Sequence, residues 1–244
     1  MLDVVFICFA FGCFSGMLAG LFGIGGGLVL VPFFMFLLEW QGIASDLVML
    51  MAVATSLATI VMTSIAATLA QQRLGTVLWR YVFNLSIGIL LGVMLGTFVA
   101  DGFLLGNLRL IFGLYLLYVA LQMARQYQPK LKNKRMGALA LKASGIWVGF
   151  ASVILGIGGG SLTVPLLAKH NTPMRNAVAV SSACGLPIAL LGTISYAFLG
   201  WHKVGLPEGS VGYVYLPAFA GIVSSSMLSA PIGAKLANKL PAQQ

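Results

Sequence analysis

Leu21-Phe22-Gly23-Ile24-Gly25-Gly26-Gly27-Leu28-Val29-Leu30-Val31-Pro32 returns later in the chain as Ile154-Leu155-Gly156-Ile157-Gly158-Gly159-Gly160-Ser161-Leu162-Thr163-Val164-Pro165. Four glycines in five positions cannot hold a stable helix, because glycine loses more backbone entropy on ordering than any other residue. Both copies nevertheless lie inside long apolar runs. In lipid, broken backbone is tolerated only where it lines a protein-enclosed cavity. Two broken helices at matching positions of two halves point to a binding site near the membrane midplane.

Composition agrees with a lipid-covered chain. The 244 residues are 59% hydrophobic and 8% charged, with a mean hydropathy of +1.00. A soluble domain carries roughly 25% charged residues, so these few charges could not cover a globular surface. The net charge of +9 does not indicate a nucleic-acid partner, because the basic residues occupy short gaps between apolar runs and form no continuous face. They read as topology signals and as contacts to anionic membrane lipids. Met1-Leu2-Asp3 lacks the basic start of a cleavable leader. Cys8, Cys13 and Cys184 lie in apolar stretches, odd in number and without a CxxC, so neither a disulfide framework nor a metal site is expected. No cofactor is expected either.

A spanning helix needs about 20 mostly apolar residues. Candidates are 4–38 and 139–168, each interrupted by a glycine cluster, together with 47–70, 81–100, 108–124, 176–199 and 211–233. The expected fold is an all-α polytopic membrane protein of two homologous halves, 1–124 and 139–244, joined by a basic cytoplasmic connector at 125–138 that holds Arg125, Lys130, Lys132, Lys134 and Arg135. The second half lacks a counterpart of 108–124, and the reading favours loss or trimming of an eighth segment. Gly88, Gly92 and Gly96, matched by Gly221, Ser225, Ser229 and Gly233, repeat a small residue every fourth position. That spacing lets membrane helices approach closely and is a packing feature first.

Basic residues choose between two topologies. The stretch 4–38 as one straight helix would run roughly 52 Å, well beyond a ~30 Å hydrocarbon core. If every segment crosses once and the connector is cytoplasmic, Arg109, Lys169, Arg175, Lys235 and Lys239 fall outside. If 4–38 and 139–168 are V-shaped, entering and leaving on one face, only Arg109 and Lys203 do. The second arrangement obeys the positive-inside rule better. It makes the halves inverted repeats with an external N-terminus.

Past each break a new half-helix begins near Leu28 or Ser161. Its first N–H groups lack intrahelical partners and carry the positive end of the helix dipole. Glycines leave them uncovered to an anion. The predicted substrate site is Gly25, Gly26 and Gly27 with Gly158, Gly159, Gly160 and Ser161, supplemented by the hydroxyls of Thr55, Ser56, Ser181 and Ser182. The bland alternatives are tight helix crossing for the glycines and bonds to the carbonyl four residues back for the hydroxyls. The repetition of the cluster and the matched hydroxyl pairs favour the site. A nucleotide loop is disfavoured, since no strand precedes either cluster and no lysine follows it. Asn84 and Asn176, near segment starts, read as helix caps. No Asp, Glu or His lies deep in a predicted span, so no intramembrane proton relay is visible.

Two GxGGGxxxxP stretches, one opening each half of a chain of this length, resemble the TauE/SafE family of sulfite and organosulfonate permeases. Gly23 to Gly27 with Pro32, and Gly156 to Gly160 with Pro165, carry the likeness over essentially the whole chain. Ala54-Thr55-Ser56-Leu57 resembles that family's second segment, and Val180-Ser181-Ser182-Ala183 is a looser counterpart. The resemblance implies eight membrane segments in the bacterial inner membrane and passage of a small sulfur-containing anion, often outward. The leading reading is a secondary transporter, not an enzyme, moving sulfite, sulfoacetate or another organosulfonate by alternating access. An anion channel with the same constriction is the alternative. A membrane enzyme using Ser161 is disfavoured, because neither His170 nor His202 lies within a span. A homo-oligomer is left open.

Overall fold

The computed structural model describes residues 2–22, 26–102, 107–124 and 136–239. Gly23, Ile24 and Gly25 of the first cluster, and most of the basic connector, lie outside the described residues. The helices are α1 (Leu2–Phe22), α2 (Gly27–Trp40), α3 (Ser45–Arg73), α4 (Trp79–Gly102), α5 (Leu108–Ala124), α6 (Ala138–Leu155), α7 (Gly160–Lys169), α8 (Met174–Leu199) and α9 (Leu216–Lys239). A small hairpin of β1 (Ser210–Val211) and β2 (Val214–Tyr215) precedes α9. The expected helix over 211–233 is corrected there: Gly209 and Gly212 have positive φ, and the chain turns before the helix starts at Leu216.

Both long apolar stretches break where the glycines lie. Gly26, capping α2, and Gly159, capping α7, have φ of 77° and 75°, a backbone region that side-chain-bearing residues seldom adopt. After each break the chain doubles back. The rings of Phe11 and Phe33 stack with centroids 3.9 Å apart, whereas a straight helix would separate them by roughly 33 Å. Gly159 likewise lies against Val148 and Ser152 of α6.

Contacts at the helix ends assign the two faces. Asn176 Nδ2, at the start of α8, donates to the Thr76 carbonyl in the α3–α4 turn at 2.8 Å. Arg80, Tyr81 and Asn84 of α4 share a cavity of about 240 Å³ with Met136, Gly137, Ala138 and Leu141 at the start of α6. The arms α6 and α7 therefore leave and return on one face. On the opposite face Arg109, opening α5, pairs with Glu39 at the end of α2 at 2.8 Å. Tyr213 of the hairpin donates to Asp101 near the end of α4 at 2.9 Å. There α1 also begins, because it runs parallel to α9, with Gly221 beside Cys8, Gly12 beside Ser225 and Gly16 beside Ser229. The two V-shaped elements thus open toward opposite faces.

Three helix pairings recur when α1 to α4 are exchanged with α6 to α9. α1 lies along α9 and α6 along α4; α2 rests on α3 and α7 on α8; α3 meets α9 and α8 meets α4. At the centre α3 crosses α8, with Leu57 on Gly192 and Ser64 on Gly185. The small-residue ladders do what their spacing implies: Gly88, Gly92 and Gly96 meet the backbone of α6 around Lys142, Ile146 and Phe150. α3 is the core element, buried continuously over 47–60. Phe6, Phe36, Phe98, Leu110, Trp147 and Phe198 point outward, as a lipid-facing surface requires. Among the described residues four helices, α3, α4, α6 and α8, are each long and apolar enough to cross a membrane.

Asn84 and Asn176 do not cap helices. Asn84 Nδ2 donates to the Arg80 carbonyl within α4 at 2.7 Å, and Asn176 bridges to Thr76. Both residues sit inside their helices, past the cap position, so their amides face carbonyls and donate to them.

Candidate functional site

The second break shows its hydrogen bonds in full. The N–H groups of Gly156 and Ile157 both donate to the Ser152 carbonyl, closing the end of α6. Beyond the break, the N–H groups of Leu162 and Thr163 donate to the Gly159 carbonyl at 3.1 and 2.7 Å, opening α7. Between these closures the amides of Gly158, Gly159, Gly160 and Ser161 donate to no backbone carbonyl among the described residues. They are the orphan donors every helix start leaves. The first break repeats the pattern, with Val29 and Leu30 donating to the Gly26 carbonyl at 3.0 Å each.

The two breaks touch. A methyl on Gly27 would stand 2.5 Å from the Gly156 carbonyl oxygen and 2.8 Å from Ile157 Cα. Ser56 of α3 donates to that same carbonyl at 2.9 Å, joining the two halves at their centre. Gly185 of α8 completes the contact beside the Gly158 carbonyl and Ser64.

The predicted residues divide accordingly. Gly26, Gly27, Gly158, Gly159 and Gly160 are buried at the meeting point. Ser56 is beside them, with its hydrogen engaged by Gly156. Ser161 is half-buried and hydrogen-bonds the Tyr115 hydroxyl of α5 at 2.5 Å. Thr55 serves the hairpin instead, accepting the Tyr215 amide at 3.0 Å. Ser182 bonds the Val178 carbonyl four residues back at 3.1 Å, and Ser181 is buried in the same turn. Gly25 is outside the described residues.

Three polar residues were not among the expected ones. Ser152 and Thr163 are fully buried beside the second break, and Tyr115 reaches it from α5. Ser152 precedes Gly156 by one helical turn and Thr163 follows Gly159 by another, a helical spacing that could have flagged them.

No Asp, Glu, Lys, Arg or His is buried among the described residues. Among the described residues the breaks present N–H groups and hydroxyls and no buried charged side chain. No group of three His, Cys, Asp or Glu among the described residues could hold a metal. Outside the spans, burial, followed by the hydrogen bond to Asp101 and the charges of Asp101 and Asp46, holds the Tyr213 phenol above its ordinary range.

The family model for the sulfite exporter TauE/SafE matches residues 8–244. A probable membrane transporter protein of Haemophilus influenzae is 35% identical over 99% of this chain and 92% of its own. Relatives described in the same words occur in Methanocaldococcus jannaschii (29% identical over 91% of this chain and 79% of its own) and Bacillus subtilis (27% over 94% and 87%). No solved structure matches the chain significantly. With the match running from within α1 across both glycine breaks to the end of α9, the chain belongs to the TauE/SafE family of multi-pass inner-membrane transporters, and is not an enzyme.

Proposed function

We propose that this transporter exports a small sulfur-containing oxyanion, such as sulfite, sulfoacetate or another organosulfonate, by alternating access at the paired glycine breaks. The observation that carries the reading is the contact of Gly27 with Gly156 and Ile157, beside four uncommitted amides of the second break. A helix start of this kind attracts anions without a buried cation. The family description supports sulfite as the cargo class. Halves 1–124 and 139–244 act as inverted repeats about this point, and the recurring helix pairings support that division. The face where α6 begins is cytoplasmic, since Arg73, Arg80 and Arg175 gather there and the basic connector precedes α6 in sequence. The proposed route runs past Gly26, Gly27, Ser56, Gly158, Gly159, Gly160 and Ser161, which lie at or beside the breaks.

The close fit at Gly27 favours a carrier over an open pore, because a methyl added there would overlap the facing break. Proteoliposomes loaded with sulfite test the reading. Saturable exchange that accelerates with substrate on the far side is expected. Large single-channel currents would establish a channel. Absent binding of sulfite and sulfonates, with transport unaltered by valine at Gly27 and Gly160, would remove the site. Labelling a cysteine introduced at residue 3 checks the topology: the external reagent reacts if both V-shaped elements re-enter as described.

A further inference from the structure

The two breaks match in backbone but not in side chains. Where the second has Ser152, Ser161 and Thr163, the same motif positions of the first hold Ala19, Leu28 and Leu30. Ser152 and Thr163 are both 0% exposed, and neither hydroxyl has a hydrogen-bond partner among the described residues. Buried hydroxyls left without a partner are uncommon in native proteins and call for an explanation. Ser152 Oγ stands 3.4 Å from the point where a side chain on Gly159 would begin, so it is aimed at the cap of α7. Thr163 lies one turn into α7, its own amide held by the Gly159 carbonyl. The two hydroxyls therefore flank, in sequence, the stretch from Gly158 to Ser161 whose amides are uncommitted.

We propose that Ser152 and Thr163, with the amides of Gly158, Gly159 and Gly160, form an electrically neutral donor shell that selects a singly charged oxyanion over a doubly charged one. This rests on the oxyanion reading above. The selectivity follows from electrostatics. The dehydration cost of an ion grows as the square of its charge, whereas its attraction to a fixed set of dipoles grows only in proportion to charge. Without a buried lysine, arginine or histidine among the described residues, the second charge is left uncompensated. Hydroxyls in these motif positions belong to the second break alone, so the site is one-sided in its side-chain donors.

Titration of the purified full chain with three probes tests this. Methanesulfonate is singly charged at every working pH, sulfate is doubly charged, and sulfite passes from one charge to two near neutrality. Methanesulfonate is expected to bind with a pH-independent affinity. Sulfite should weaken by about tenfold per pH unit once it carries two charges, and sulfate should bind at least about tenfold more weakly than methanesulfonate. Ser152→Ala and Thr163→Val should each weaken methanesulfonate by about tenfold or more. Their unfolding midpoints without ligand should be unchanged or raised, since each removes an unpaired hydroxyl. A purely structural role would do the reverse, lowering the midpoint and sparing affinity. Sulfate binding as tightly as methanesulfonate, or both variants binding like the wild type, overturns the proposal while leaving the oxyanion reading intact. If the wild type binds none of the three probes, the oxyanion reading falls and takes this one with it.

Discussion

Gly27→Ala probes the point where the two glycine breaks meet. The added methyl would stand 2.5 Å from the Gly156 carbonyl oxygen, where ordinary contact begins at 3.4 Å, so the breaks must part by about 0.9 Å. Two of its three nearest neighbours are backbone atoms; only Ile60 Cδ1 can swing aside. Forcing a methyl into packed surroundings costs about 1–3 kcal/mol. Moving Gly156 also strains the bond it accepts from Ser56, worth about 1 kcal/mol. Alanine's helix preference returns at most about 1 kcal/mol. The net loss is then about 1–3 kcal/mol, a fall of roughly 3–10 °C in the unfolding midpoint for a chain of this size. Gly113→Ala on α5 is the control. It meets nothing within 4 Å and should be neutral or stabilise by about 0.5–1 kcal/mol. Thermal unfolding of the two purified variants, with sulfite exchange in proteoliposomes, gives the readout. A Gly27→Ala protein that melts and transports like the wild type would refute the claim that the breaks are in contact.

Three further outcomes follow from the same geometry. Ser56→Ala leaves the Gly156 carbonyl without its side-chain donor and should cost about 1–3 kcal/mol in denaturant titration, whereas Ser182→Ala, which removes only a bond within its own helix, should cost less than about 1 kcal/mol. The Tyr213 phenol titrates above its ordinary value of 10.0, so the folded state holds that proton more tightly than the unfolded chain. Its contribution to stability is constant below about pH 10 and is lost as the pH rises further; Tyr213→Phe should flatten that alkaline limb, and an unchanged decline would count against the Asp101 contact. Glu39→Gln breaks an ion pair whose side chains are 40% and 65% exposed, so a change of less than about 1 kcal/mol is expected.

The sequence was informative wherever a local rule sufficed. A run of glycines inside a membrane-length apolar stretch has to break the helix, whatever surrounds it, and both breaks stand where the repeat put them. The spacing of Gly88, Gly92 and Gly96 needs only helical periodicity to become a contact stripe. Turns and side-chain partners were less legible. The hairpin at 210–215 replaced the first turn of an expected helix because positive-φ glycines at 209 and 212 act on backbone geometry, while hydropathy reads straight through them. Hydroxyl positions recur in both halves, but a hydroxyl's direction depends on what packs opposite. Thr55 turned to Tyr215 and Ser56 to Gly156, though they are adjacent in the chain.

By itself the sequence determined a lipid-embedded, all-helical chain with two matching interruptions, because hydropathy and glycine's entropy act over a few residues at a time. Only the tertiary structure decided that the interruptions meet, that α1 packs on α9 and α6 on α4, and which hydroxyls are left without partners. The contacts among them join residues far apart in the chain, such as Ser56 and Gly156 or Gly12 and Ser225. They arise from the closest packing of whole helices, which no local window of sequence contains.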